Sequence, residues 1–440
     1  MFIIFSTLGL WLREAGVDRS TVTFFSWAAL GYSFKFIWAP LIDKLPVPLL
    51  SRLMGRRRSW LLLSQLGVAG SIMTMGLINP ASSDTALVYM AFAAVALGFS
   101  SATQDICIDA FRIESAERKF QAILASMYVA GYRVGMLASG AGALWLASRL
   151  GTELGAYSYE AWRLTYFAMA SLMTVGLLTT LIRPEPFQSQ TKYEHSAREY
   201  LVFLGLFVLA VIVFVTLYTT LYSVGSVLGL EGFWVATVRL MLSLSGVAAL
   251  MALIKKMGLA NTRLIEDSYI GPVRQFLLSN GLRTAALLLA VVGLYRISDI
   301  VLGVISNLFY QDMGFTKDQI AFVVKTFGLG MTLLGGFLGG ALTNRFGIFW
   351  ILLWGAVLSA ATNLLFMQFA LMQPTEWMLY LVISADNLAG GVAVAAFVAY
   401  LSSLTHISFT AVQYAIFSSA MTLFPKVLGG YSGTMVDSFG

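Results

Sequence analysis

The chain has 440 residues, 58% of them hydrophobic and only 11% charged. A soluble domain carries roughly 45–50% apolar and about 25% charged residues, so this composition excludes an ordinary soluble globule and predicts an all-α polytopic membrane protein. One cysteine, Cys107, excludes a disulfide framework; the two histidines, His195 and His406, lie far apart, so no metal site and no cofactor is expected.

A short apolar piece, Met1 to Leu12, opens the chain. Apolar stretches of spanning length follow near 21–42, 60–79, 86–111, 120–147, 162–182, 200–222, 233–254, 284–309, 319–342, 348–371, 377–401 and 408–435. Residues 183–199 form a polar linker with Pro184 and Pro186, and 255–282 a second polar stretch, read as a solvated linker with a short amphipathic helix, a regulatory or docking role being the alternative. If every stretch spans, one side collects Lys44, Arg52, Arg56, Arg57, Arg58, Arg112, Arg118, Lys119, Arg183, Lys192, Arg198, Lys255, Lys256, Arg263, Arg274 and Arg345. The other side holds little beyond Arg13, Arg19, Arg149 and Lys317. Such an imbalance places the rich side in the cytoplasm. Topology therefore accounts for the net charge of +6, and no nucleic-acid partner is needed.

Two segments echo each other. Trp11 to Val22 resembles Phe309 to Ile320, with Glu14 and Asp312 each two residues before a glycine, and Ala39 to Lys44 resembles Gly340 to Arg345. The offsets, 298 and 301 residues, nearly agree. Two related halves are thus expected, as in many transporters. The predicted division is an N-terminal bundle over 1–182, a linker with two additional helices over 183–282, and a C-terminal bundle over 283–440. The repeat also predicts a partial first helix and an absent last one.

Charges at membrane depth carry the chemistry. A carboxylate there costs about 2.5–3.5 kcal/mol on insertion scales and persists facing a bundle interior. Asp105 and Asp109, one helical turn apart with Arg112 on the same stripe, are candidates for proton coupling, because one ionised carboxylate disfavours ionisation of the other. A structural pairing of these carboxylates with Lys35, Arg133 or Arg112 is the alternative. Lys35 and Arg133 interrupt apolar runs and suit an anionic substrate. Gln104, Tyr132, Arg296, Asp299, Lys325, Asp386, Asn387 and Lys426 complete the candidate substrate-binding set. Arg296 and Asp299, three apart, also suit a simple pair, and Arg239 reads as a structural contact. Glycines at 131, 135, 140 and 142 and at 335, 336, 339 and 340 predict close helix packing.

Motifs of membrane proteases, of zinc peptidases and of nucleotide-binding loops are absent. A secondary transporter is the leading expectation, with a membrane sensor or scaffold as the alternative of another class.

The pattern Gly340-xxx-Asn344-Arg345-x-Gly347 resembles the loop signature of the major facilitator superfamily. A looser copy has Asp43-Lys44 and, after an insertion, Gly55-Arg56-Arg57-Arg58. In that superfamily such residues form cytoplasmic ion pairs that latch two halves while the outer face is open. The blocks Phe34 to Asp43, Gly55 to Trp60, Ser101 to Ala110, Gly131 to Gly140 and Phe417 to Lys426, with Tyr431 to Gly433 and Val436-Asp437, resemble the muropeptide permeases of the AmpG type. The resemblance implies two six-helix halves with two extra central helices. It implies a monomeric permease of the bacterial inner membrane, amino terminus cytoplasmic in the full-length form. Such a permease uses the proton gradient to import N-acetylglucosaminyl-1,6-anhydro-N-acetylmuramyl peptides for cell-wall recycling. A carrier for another bulky anion, acetyl-CoA-like, is the alternative within transport.

Overall fold

The computed structural model describes residues 3–18, 21–22, 25, 28, 31–153, 155–186, 196–221, 233–258, 266–298, 309–310, 313–315, 319–373 and 375–429. The principal helices are α1 (Leu8–Glu14), α2 (Gly31–Phe34), α3 (Ala39–Lys44), α4 (Arg56–Gly76), α5 (Asp84–Glu114), α6 (Gln121–Leu137), α7 (Ala143–Arg149), α8 (Tyr159–Ile182), α9 (Ala197–Thr220), α10 (Phe233–Lys256), α11 (Gly271–Asn280), α12 (Leu282–Leu294), α13 (Gly328–Phe346), α14 (Ile348–Ala370), α15 (Glu376–Leu404) and α16 (Thr410–Gly429). Among the described residues eight helical spans are long and apolar enough to cross a membrane. A ninth results if the segments Glu266–Asn280 and Leu282–Leu294, bent by 110°, count as one.

Local chemistry sets the helix ends. Ser83 caps α5 and Ser158 caps α8, each hydroxyl accepting a backbone N–H of the first turn. Ser196 and Glu199 form a reciprocal capping box at the start of α9. The apolar stretch expected near 21–42 is broken rather than continuous: a tight turn over Lys35–Ile37 separates α2 from α3, and Pro40 lies in the first turn of α3. Proline is tolerated there because that N–H has no intrahelical partner.

Packing in the second part of the chain depends on glycine. A Cβ on Gly339 would lie 2.7 Å from Val392 Cα, and Gly335 and Gly391 are equally intolerant, so α13 and α15 touch backbone to backbone. The same expectation for α6 is corrected: a Cβ on Gly131 or Gly135 would meet nothing within 4 Å, so these two glycines mediate no helix contact.

Two more findings concern the middle of the chain. Arg239 joins α10 to α9 by donating to the Tyr218 carbonyl and lying 4.3 Å over its ring. The segment expected as a solvated linker is instead docked. Tyr269 Oη donates to Ile37 O at 2.9 Å, Phe276 packs on Phe417 with ring centroids 5.2 Å apart, and Gln413 Nε2 donates to Pro272 O at 2.9 Å. Tyr269, Pro272 and Phe276 recur on one face of this segment, which explains why it seats rather than floats.

Candidate functional site

α5 carries the core of the site, and its 3.6-residue repeat puts Asp105, Asp109 and Arg112 on one face. The turn after α2 presents Lys35, 4% exposed, to that face. Lys35 Nζ lies 2.5 Å from Asp105 Oδ2 and 3.8 Å from Asp109 Oδ2. Tyr128 of α6 donates to Asp105 Oδ1 at 2.9 Å. Both Asp105 oxygens thus have a donor in hydrogen-bonding range, as a buried carboxylate needs. Asp109 differs. Its partners stand at 3.8 Å and, for Arg112 Nη2, at 3.7 Å, and its Oδ1 makes no hydrogen bond.

Arg112 reaches away from its own helix. Nη1 donates to Ser402 Oγ of α15 at 3.0 Å, and the guanidinium lies 5.5 Å from the Tyr128 ring and 5.4 Å from the Tyr414 ring of α16. Nearby, Ser126 Oγ donates to Gly336 O at 2.9 Å, a close approach of α6 and α13 that Gly340 permits, since a Cβ there would collide with Ser126.

A second cluster lies at the basic end of the bundle. Arg57, 1% exposed, donates from Nη2 to Asp43 Oδ1 at 2.7 Å and to Glu114 Oε1 at 2.5 Å, and from Nε to Glu114 Oε2 at 3.0 Å. Asp43 also accepts the backbone N–H groups of Ala411 at 3.3 Å and Val412 at 2.9 Å, in the first turn of α16. Arg56 donates to the Asp43 carbonyl. Arg58 donates to the carbonyls of Thr180 and Leu181 at the end of α8. Gly55 turns the chain with φ +88°, a conformation that favours glycine, and the Glu185 carboxylate there accepts the N–H groups of Arg57 and Arg58. Lys44 lies 5.5 Å from the Phe409 ring centroid. The second copy of the motif is built differently. Gly347 makes the same turn with φ +89°, but Asn344 and Arg345 are exposed, and Arg345 lies against the Phe346 ring.

The other sequence candidates are distributed as follows. Tyr132, Arg133 and Arg296 lie within electrostatic range of one another, and Tyr132 within range of Asp105, so α6 and the segment after α12 bring two cations toward the cluster. Gln104 is half-buried beside Asp105. Asp386 is elsewhere, accepting from Thr362 of α14 at 3.3 Å. Asn387 is used in packing: its Oδ1 accepts from Thr332 Oγ1 at 2.8 Å and its Nδ2 donates to Ile383 O. Asp299 and the side chains of Lys325 and Lys426 lie outside the described residues.

Glu114, Glu185, Ser402 and Tyr414 were not anticipated. Glu114 closes α5 at the edge of the apolar span, where a glutamate reads as solvated, and the arginine it meets is 57 residues away. The other three lie far from their partners in sequence.

The buried ion pairs thus lie inside a bundle of apolar spans, and the sequence matches a known family. The model for the Major Facilitator Superfamily matches residues 1–296, and the chain belongs to that superfamily of multi-pass membrane transporters. Its resemblance to AmpG-type proteins extends over the whole length. The putative transporter AmpG 4 of Rickettsia conorii is 30% identical over 440 residues, 100% of this chain and 87% of that protein. The anhydromuropeptide permease of Escherichia coli K12 is 27% identical over 435 residues, 99% of this chain and 71% of that protein. The putative transporter AmpG 1 of Rickettsia prowazekii is 25% identical over 450 residues, 99% of this chain and 88% of that protein. The expected all-α superfamily fold and the AmpG resemblance both hold.

Proposed function

We propose that the chain is a proton-coupled secondary transporter importing N-acetylglucosaminyl-1,6-anhydro-N-acetylmuramyl peptides across the bacterial inner membrane for cell-wall recycling. The observation that carries this reading is the buried cluster of Lys35, Asp105 and Asp109, set in a chain that matches an anhydromuropeptide permease over nearly its full length. Charges this deep in a membrane bundle mark ion or substrate paths. Asp109, with a carboxylate oxygen lacking a donor, suits a group that gains and loses a proton. Asp105, with a donor at each oxygen, suits a fixed counter-charge to Lys35.

Arg133 and Arg296 suit the carboxylates of a muropeptide, which guanidinium groups bind with two parallel hydrogen bonds. The basic end is cytoplasmic by the charge-placement rule, so the Asp43–Arg57–Glu114 cluster and its contact with α16 form a closed inner gate. The transporter works as a monomer with residues 1–182 and 283–440 as its two moving bundles. Residues 183–282 join them.

Uptake of labelled anhydromuropeptide into inverted-potential-controlled vesicles tests this. Uptake that rises with an imposed inward proton gradient and collapses with a protonophore is expected. Transport of an acetyl-CoA-like anion in its place, or uptake insensitive to protonophore, overturns the substrate or the coupling respectively.

A further inference from the structure

The helix α11 is apolar on two faces. Pro272 and Phe276 seat it on α16, while Ile270, Val273, Leu277 and Leu278 recur at i, i+3, i+7 and i+8 on the opposite side. Leu278 is 74% exposed, and Leu282, just beyond the helix, 77%. A clustered exposed apolar face marks contact with a protein or a membrane. The one charge on α11 is Arg274, at i+4 in the middle of that face, and the helix holds no acidic residue. The bend supplies the orientation. Glu266–Asn280 and Leu282–Leu294 meet at 110°, and Gly281 turns the chain between them with φ +72°. Membrane spans tilt by about 20° from the bilayer normal on average, so α11 runs close to the membrane plane when α12 begins a span. Leu282, where that span starts, sets α11 at the level of the lipid headgroups. The basic end of the bundle is cytoplasmic by charge placement, which assigns α11 to the inner leaflet.

We propose that α11 lies in the headgroup layer of the inner leaflet and seats an anionic phospholipid there, its phosphate on Arg274. A cleft of about 430 Å³ lies between α11 and the turn before α16, lined by Arg274, Gln275, Leu278, Ser279 and Phe409. The guanidinium of Arg274 matches a phosphate with two parallel hydrogen bonds. Lys44, 5.5 Å from the Phe409 ring centroid, places a second cation beside the cleft. Gln275 and Ser279, joined by a 2.9 Å hydrogen bond, add a polar wall. Ile270 and Val273, on the same side of the helix, lie against the acyl chains. The headgroup selected is one whose phosphate carries no compensating amine, because the charges that α11 and Lys44 bring to the cleft are cationic. A soluble protein is the competing occupant of such a face, and the 110° bend decides against it by turning the face toward headgroups rather than cytosol. The proposal needs only that the chain is embedded in a membrane and is independent of proton coupling.

The test uses the full chain in vesicles of phosphatidylcholine mixed with phosphatidylglycerol. A nitroxide attached at position 273, through Val273→Cys in a Cys107→Ala background, reads depth. Its collisions with lipid-soluble oxygen are expected to exceed those with a water-soluble nickel chelate, and the reverse order overturns the placement of α11. Lipid preference is read by mass spectrometry of protein extracted from the same vesicles. Phosphatidylglycerol is expected to be retained over phosphatidylcholine at least about fivefold, the gain that one cation makes near an anionic surface. Arg274→Gln is expected to remove most of that preference and Arg274→Lys to keep part of it. Equal retention of the two lipids by the unaltered chain overturns the proposal, as does a preference that survives Arg274→Gln. Ser279→Asp, which adds an anion at an exposed position of the cleft, is expected to abolish the preference as well, and it decides the matter if Arg274→Gln does not insert.

Discussion

The carboxylate of Asp43 accepts the backbone N–H of Val412 at 2.9 Å, across 369 residues of sequence. An anion at a helix N-terminus satisfies orphan amides and meets the positive end of the helix dipole. Here the helix and the anion lie far apart in sequence, so the interaction works as a clasp that ties the end of α3 to the start of α16, with Arg57 bridging Asp43 to Glu114.

Removing that charge should loosen the clasp. Asp43→Asn is expected to weaken the closed gate by about 1.5–3 kcal/mol, the range for hydrogen bonds to charged groups. The chain supplies its own reporter, because its single cysteine, Cys107, is fully buried in the cluster that includes Ile42, Ala411 and Ala415. Maleimide labelling of Cys107 should accelerate about 5–150-fold in Asp43→Asn. An unchanged labelling rate would remove Asp43 from the gate.

Asp105 and Asp109 should part company on mutation. Asp105→Asn leaves the Lys35 ammonium buried with a carboxylate no nearer than 3.8 Å, which is expected to cost about 3–5 kcal/mol and reduce insertion into the membrane. Pairing it with Lys35→Gln should recover the inserted protein, read as yield of folded monomer on size-exclusion chromatography. Asp109→Asn should insert normally and lose gradient-driven accumulation. If Asp105→Asn accumulates substrate like the unaltered chain, the two roles are reversed.

Arg133 and Arg296 are expected to read substrate charge. Replacing either with Gln should weaken binding of a peptide-bearing muropeptide by about 1–3 kcal/mol while an uncharged sugar analogue changes little. Calorimetry on purified protein checks this. Equal losses for both ligands would make these arginines structural.

The glycines predict a contrast in stability. Gly339→Ala drives a methyl group into the α15 backbone, where relief requires moving a helix, and should cost about 1–3 kcal/mol or more. Gly131→Ala meets open space and should be neutral or slightly stabilising, since alanine favours the helix by about 0.8–1.0 kcal/mol. Thermal unfolding in detergent distinguishes them. A stable Gly339→Ala protein would mean that α13 and α15 are not in backbone contact.

What the sequence disclosed follows from how unusual each signal is. Asp105, Asp109 and Lys35 stood out because charge inside apolar spans is costly, and they meet as that cost requires. Asp43 and Arg57 stood out through a loop pattern. Glu114 and Glu185 did not, because a glutamate at a helix end reads as solvated when the arginine it meets is 57 residues away, or the amides it meets are 128 away. Asn387 looked like a ligand for substrate because an amide among apolar residues signals function, yet the Thr332 hydroxyl satisfies it across a helix contact. The docking of the segment from Tyr269 through α11 was hidden in part for another reason: Tyr269 and Gln413 bond to backbone carbonyls, and backbone groups leave no trace in residue identity.

That last point bears on how the clasp would be found by genetics. Asp43 grips amide hydrogens at positions 411 and 412, which every residue except proline supplies. An alanine or cysteine scan through α16 would keep both donors at those positions and pass over the partner of Asp43 in silence. Charge-swap suppressors on α16 would fail as well, for the opposing side chain of Asp43 is Arg57 and α16 offers only amides. On the α16 side the contact becomes visible when the backbone itself is edited, by proline or by an amide-to-ester replacement at Val412.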